Sequence, residues 1–375
     1  MKSLRGLSLD ATRVTDAGLI QYLPEMPALQ GLSLGYVNMS DVGLKALDYI
    51  LWLEHANLRS TAISSEAIVE FMESKSHTLH RLDLSITVTD DETLAGFPRR
   101  TQLRNLSLSD TGISDISCTH IARQEWLSEL NLSFTDISDD GVRSLADCRY
   151  LKHLELQKTK ITDTSFIWLS DSKIEHLGVG VTTIKDAGIP ALADFPELRS
   201  LELHATALTD KGLCFLKDAS RLESLRLEGT RISNAGLDAL LALPLVSLSL
   251  NPKINEFGLK AISQHTTLRR MAICNADATS WSPLENLKQL EVLLIDDSVE
   301  DFSSIRKMNQ LKVLMLWGDR FLALELSKLR LALPQCNIVV LEKHERGWME
   351  FWNLCREDWI AMIPRSARAD LTNQR

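Results

Sequence analysis

The feature that most constrains this chain is a period. An apolar residue opens a unit at Leu4, Leu29, Leu53, Leu79, Leu103, Leu127, Leu151, Ile174, Leu198, Leu222, Leu245, Leu268, Leu290 and Leu311, in steps of 21 to 26 residues, most often 23 or 24. Such self-similarity means a stack of supersecondary units, each of which can bury its apolar face only against its neighbours. Length alone, 375 residues, would suggest two or three domains. The period overrides that expectation: residues 1–341 read as one stacked domain of about fourteen units, and 342–375 as a separate C-terminal segment.

Each unit begins Leu-x-x-Leu-x-Leu, as in Leu103, Leu106 and Leu108 or Leu198, Leu201 and Leu203. The second and third leucines alternate with polar residues, so they share one side of a short strand and point into the core. Leu154, Leu201 and Leu225 are therefore expected to be fully buried, one per layer. Eight residues after the first leucine stands threonine in nine units: Thr12, Thr61, Thr87, Thr111, Thr135, Thr159, Thr182, Thr206 and Thr230. The chain must turn there, and a hydroxyl can satisfy a backbone group orphaned by the turn. Stacked units would form a threonine ladder. An aliphatic residue and Thr/Ser-Asp follow, as in Val14-Thr15-Asp16 and Leu208-Thr209-Asp210, a helix N-cap pattern. Gly-Leu-x-x-Leu then supplies one apolar face of a short helix. The units opening at Leu268 and Leu290 lack this half, which predicts 3₁₀ or irregular chain in its place.

This consensus resembles the leucine-rich repeats of large bacterial repeat proteins and is similar to the substrate-binding repeats of eukaryotic F-box proteins. The resemblance covers residues 1–341. It implies an α/β leucine-rich-repeat solenoid, with a curved parallel β-sheet on the concave side and short helices and 3₁₀ turns on the convex side. It also implies protein binding on the concave or lateral surface. Threonine stands where the family more often has Asn or Cys. No F-box-like or kinase-like segment is present, so ligase and receptor activities do not carry over.

Composition narrows the partners. A net charge of −9 is poorly suited to phosphate backbones, so no nucleic acid is expected. No apolar run reaches the roughly 18 residues of a membrane span, and Met1-Lys2-Ser3-Leu4-Arg5 shows no secretory signal. The six cysteines are scattered, without a Cys-x-x-Cys pair, which points to a reducing, cytoplasmic compartment. Phosphate-loop, zinc-protease and hydrolase motifs are missing. Asp110-Thr111-Gly112 matches the aspartic-protease tripeptide, but Thr111 sits in the threonine register. Asn38, Asn105 and Asn131 fit the glycosylation pattern and read as accidental. The sequence thus predicts no catalytic residues, no cofactor and no metal. It predicts a cytoplasmic, bacterial protein-interaction module acting as adaptor, sensor or inhibitor. The alternatives are a secreted effector binding a host protein or an immunity protein blocking a toxin. An enzyme is the reading of a different class, and the C-terminal segment lacks a nucleophile–base pair to support it.

In such a unit the residues at offsets +2, +4, +6 and +7 from the first leucine face the concave side. Strands ~4.8 Å apart would give an arc of roughly 60–65 Å, a surface suited to a protein or long peptide. The candidate partner-binding residues are Arg81, Asp83, Glu129, Phe134, His153, Glu155, His176, Glu202, His204, Arg226, Glu228, Met315 and Trp317. Met315 and Trp317 join Val292, Leu294 and Val313 in an apolar patch that is unusual unless something covers it. His153 and His176 share one column, with His204, Glu155 and Glu202 nearby, while Gly178 and Gly180 leave a shallow gap. The cluster reads either as a metal site or pH-sensitive peptide contact, or as a mixed polar face with no ion. Divergence of side chains across a flat sheet disfavours a metal.

The two ends complete the reading. The first unit opens at Leu4, leaving no room for a capping element. The expectation is that the chain is a piece of a longer protein or that another chain covers this edge. At the other end, residues 342–363 read as an amphipathic helix before Pro364, with Trp348, Trp352, Cys355, Trp359 and Met362 on one face. It is a cap for the last leucine layer or a helix for partner binding or self-association, and it can fold back over the concave end; a membrane-surface helix is the remaining reading, disfavoured because its charges are balanced rather than basic.

Overall fold

The computed structural model describes residues 3–250, 253–274 and 276–341. The chain forms two compact units, Met1–Ala207 and Leu208–Arg375. Among the described residues the first holds nine short strands: β1 Gly6–Ser8, β2 Gly31–Ser33, β3 His55–Asn57, β4 Arg81–Asp83, β5 Asn105–Ser107, β6 Glu129–Asn131, β7 His153–Glu155, β8 His176–Gly178 and β9 Ser200–Glu202. Each pairs in parallel with the next in chain order. The register stacks Leu106, Leu130, Leu154, Leu177 and Leu201 directly upon one another. Leu154 and Leu201 are completely buried, as the leucine pattern requires.

Between strand and helix the chain turns a tight corner. The residue just before the threonine position takes a left-handed conformation in nine repeats, Ala11, Tyr36, Ser60, Ile86, Asp110, Phe134, Lys158, Val181 and Ala205, with φ between 52° and 61°. This costs about 1–2 kcal/mol for a residue with a Cβ and is least natural for β-branched Ile86 and Val181. From Ala11 to Val181, the amides of these residues donate to carbonyls of the following repeat at 2.8–2.9 Å, as Phe134 does to Gln157. The threonine closes the corner from within: all nine hydroxyls donate to the carbonyl three residues earlier, at 2.5–2.7 Å. Each bond lies inside its own repeat, so the threonines form a column of local bonds.

The helix side carries a second, inter-repeat contact. The Thr/Ser before a helix acts as its N-cap at Thr15, Ser40, Ser114 and Ser138. The Asp after it reaches forward to the next repeat. Asp16 accepts from the Ser40 amide at 3.1 Å and hydroxyl at 2.6 Å. Asp115 does the same with Ser138 at 2.7 and 2.6 Å, and Asp139 with Thr162 at 2.9 and 2.5 Å. The glycine two residues further on makes room for this carboxylate: a Cβ on Gly43 would overlap Asp16, and one on Gly141 would overlap Asp115. Where serine replaces the glycine, it donates to the carboxylate instead, Ser117 to Asp91 and Ser165 to Asp139.

The second unit repeats the plan with β10 Ser224–Arg226, β11 Ser247–Leu250, β12 Arg270–Ile273, β13 Val292–Asp296, β14 Val313–Trp317 and β15 Asn337–Leu341, again parallel and in chain order. Leu225 is 1% exposed. Asp210 accepts from Ser233, Asn234 from Asn255 and Glu256 from Thr279, so Asn and Glu stand in for Asp. The expected loss of regular helix after β12 and β13 is present as 3₁₀ turns at Ser282–Asn286 and Ile305–Lys307. The strand β15 is an addition to the fourteen unit starts. Its register with β14 puts Gln335 where the first leucine would stand, so the pattern did not announce it. The helix expected at 342–363, with Trp348, Trp352 and Trp359, lies outside the described residues, as do Met1 and Lys2.

Two predictions follow from the aspartate contact. Gly141→Ala drives a Cβ into Asp115, Ile137 and Cys118 and should destabilise by about 1–3 kcal/mol. Gly18→Ala meets only Val14 and Thr15 at 3.6 and 3.8 Å and should leave stability unchanged or raise it by up to ~1 kcal/mol through helix propensity. Urea titration of both variants measures the contrast; equal losses would remove the packing argument. The second prediction concerns acid. Burial raises the pKa of Asp91 and Asp139, but hydrogen bonds from Ser114 and Ser117 and from Ser165 and Thr162 outweigh it, so both lie below the ordinary carboxylate value. Their stabilisation is complete above about pH 4 and is lost as pH falls through the depressed folded values. The Asp91→Asn, Asp139→Asn double variant should be less stable at neutral pH and show a shallower acid transition by circular dichroism.

Candidate functional site

Each three-residue strand sends its central side chain into the core and its two outer side chains to the opposite face, here the sheet face. In β7, β8 and β9 that face is polar and closely organised. The rings of His153 and His176 stack at 5.7 Å with 26° between planes. His176 Nε2 lies 2.9 Å from Glu155 Oε1 and 3.9 Å from Glu202 Oε1. His204 Nδ1 lies 3.9 Å from Glu202 Oε2. The Gln157 amide bridges the two carboxylates, donating to Glu155 Oε2 at 3.1 Å and Glu202 Oε2 at 2.9 Å. Glu155, Gln157, His176, Glu202 and His204 are all buried.

Two glycines make this possible. A Cβ on Gly178 would overlap the Glu155 carboxylate, and one on Gly180 would overlap the His204 ring. The shallow gap expected over these glycines is thus filled: Glu155 and His204 lie across the bare backbone. Side chains from β7 and β9 converge over β8 because β8 has none of its own at those points. Among the described residues no three His, Cys, Asp or Glu side chains are grouped to hold a metal ion.

The earlier strands present a more open face. Arg81 and Glu129 are exposed, and Asp83, Asn131 and Phe134 are half-buried. Phe134 lies under the Lys158 ammonium, 5.0 Å from ring centroid to nitrogen. His55 belongs to the same column as Arg81 and is exposed, yet it was missing from the candidates drawn from sequence. Its offset from Leu53 is +2, so the register itself could have found it. Packing by its neighbours, and next the Arg81 guanidinium, hold His55 below the ordinary imidazole value.

In the second unit Arg226 Nε lies 3.3 Å from Glu228 Oε1, and the Ser249 hydroxyl donates to the same carboxylate. Further on, Val292, Leu294, Val313, Met315 and Trp317 are all buried. The apolar end of the face is therefore covered. The remaining chemistry is muted: burial pushes the Cys148 and Cys336 thiols up to about 12 and Cys118 higher still. Asp110-Thr111-Gly112 is one of the left-handed corners, with Thr111 bonded to Leu108.

Comparison with known proteins agrees with this geometry. A leucine-rich-repeat family profile matches residues 124–146, which contain β6 and the Asp139–Leu145 helix. The structure is similar to that of an internalin from Listeria monocytogenes, with 21% identity, a TM-score of 0.54, and coverage of 78% of this chain and 87% of the internalin chain. The chain is a leucine-rich-repeat protein. A plant peptide hormone receptor, RGFR1 in complex with RGF2, aligns at 14% identity and a TM-score of 0.42, over 91% of this chain and 64% of the receptor chain. No curated protein matches the sequence.

Of the sequence candidates, this leucine-rich-repeat protein brings His153, Glu155, His176, Glu202 and His204 together in one cluster. Arg81, Asp83, Glu129 and Phe134 lie apart on the more open strands. If the glycines exist to seat the cluster, Gly178→Ala should cost about 1–3 kcal/mol by overpacking. It should cost markedly less in a Glu155→Ala background, because the two sites share one space. A double-mutant cycle by chemical denaturation tests this, and strict additivity would count against the seating argument.

Proposed function

We propose that this leucine-rich-repeat protein is an interaction module that binds a partner protein on the sheet face of its first unit. The observation that carries the reading is the division of labour within each strand. In β4 and β6, Leu82 and Leu130 are buried in the core, whereas Arg81 and Glu129 stand exposed. Their charge and exposure serve no packing need, and they are opposite in sign on a face whose backbone is paired strand to strand. Repeat stacks characteristically use such extended surfaces for binding. The face offers basic and acidic groups close together, with an aromatic edge at Phe134, and suits a partner surface of mixed charge.

The role is that of an adaptor, sensor or inhibitor in a bacterial cytoplasm. No described helix is long and apolar enough to cross a membrane. Catalysis has little to build on: the buried thiols are held protonated, and the protease-like tripeptide serves as a corner.

The test is capture from the protein's own cells by the tagged full chain, beside an Arg81→Glu, Glu129→Arg variant. The expected result is a partner retained by the unaltered chain and bound at least ~10-fold more weakly by the variant, about 1.4 kcal/mol, with unchanged thermal unfolding. Identical retention by both chains, or recovery of chaperones alone, would overturn the proposal.

A further inference from the structure

The strands β13 and β14 depart from the pattern of open strands such as β4. In β4 the outer residues are exposed or half-buried and only the centre is buried, but all five residues of β13 and of β14 are buried. Leu293, Ile295, Leu314 and Leu316 belong to the core side. Val292, Leu294, Val313 and Met315 belong to the sheet face, yet Leu294 and Val313 are only 2% exposed. Over β8, Glu155 and His204 can lie across bare glycine backbone, but β13 and β14 carry a side chain at every sheet-face position, so flanking strands lie beside these residues and their burial needs a cover. The packed neighbours of β13 and β14 among the described elements are strands of the same sheet.

We propose that residues 342–363 of this same chain dock on the apolar sheet face of β13 and β14. The described chain leaves off at Leu341, which is paired with Trp317 at the border of that face. Thirty-four residues follow, 342–375. A helix over 342–363 would be about 33 Å long, while crossing from β15 to β12 takes only about 14 Å, so reach is ample. The segment's Trp348, Trp352 and Trp359 recur at helical spacing and supply the large apolar surface the face requires. The competing location, the outer side of the last layer, remains open, since Val340 and Leu331 are exposed. The segment thus covers the sheet face rather than the end of the stack. The proposal holds whether or not the first unit binds a partner.

The experiment places a thiol under the cover. In the full chain with Cys214→Ser removing the cysteine that is exposed among the described residues, Met315→Cys is labelled with a maleimide, and the rate at position 315, read by peptide mass spectrometry, is compared with that of the same chain carrying Trp348→Ser, Trp352→Ser and Trp359→Ser. The expected result is labelling at least ~10-fold slower in the chain with its tryptophans, independent of protein concentration. Fast labelling in both chains, or slow labelling in both, would overturn the proposal. So would protection that fades on dilution, which would assign the cover to a second copy. Should the triple variant fail to fold, a bis-maleimide offered to the Met315→Cys chain decides the matter. A link between position 315 and Cys355 within one chain is expected, and links found only between isotopically distinct chains would refute docking in cis.

Discussion

A strand of three residues directs its backbone hydrogen bonds sideways, toward the strand before and the strand after. The leucine at its centre has the same need, because one repeat is too thin to enclose it. Everything else in each unit depends on holding successive repeats in register at this spacing. Three contacts do so at three places around the repeat: the parallel ladder, the left-handed corner whose amide reaches the next repeat, and the helix-side aspartate that reaches the next N-cap. The corner shows how narrow the balance is. A left-handed residue with a Cβ costs about 1–2 kcal/mol, and the amide bond and threonine bond it allows return about 0.5–1.5 kcal/mol each. The corner persists because any other path would leave buried carbonyls unpaired, which costs more than the strain.

The aspartate contact explains a sequence rule that helix capping alone does not. An N-cap needs only the Thr or Ser hydroxyl. The acid after it could be read as a favourable charge at a helix N-terminus, and on that reading the glycine two residues later has no reason to exist. The structure supplies one: the glycine of one repeat clears space for the carboxylate of the repeat before. Ser117 and Ser165 show that the space can be used differently, by a residue that bonds to the carboxylate it would otherwise crowd.

Much of the fold was legible because it is periodic. The leucine register placed Leu154, Leu201 and Leu225 in the core, and the nine threonines marked the corner. The left-handed residue itself was not legible, since Ala11, Ile86, Asp110 and Val181 share no chemistry and glycine occupies the position only at Gly229 and Gly318. Its conformation is imposed by contacts to the next repeat, which no local propensity records. The strand β15 escaped for the opposite reason: its bonds to β14 form although the leading leucine is replaced by Gln335. At the candidate site, column membership was legible from offsets, so the meeting of His153 with His176 could be foreseen. The convergence over β8 could not, because Gly178 and Gly180 read as emptiness in a sequence and act as seats in the structure.

That distinction bears on where a partner can bind. Polar side chains brought together out of water are costly unless their hydrogen bonds and charges are met. The cluster on β7 to β9 answers this with the Gln157 bridge and the His176–Glu155 pair, and its geometry is fixed by two glycines that cannot gain a methyl group without collision. Such an arrangement is already packed and has little freedom to remodel around an incoming surface. Arg81 and Glu129 bear no such constraint: no glycine seats them, and they remain open to water. Opposite charges there give specificity and faster encounter more readily than they give raw affinity. The more open strands are therefore the places where sequence could vary with the partner at the least cost to the fold, while the cluster beside them holds its own part of the face rigid.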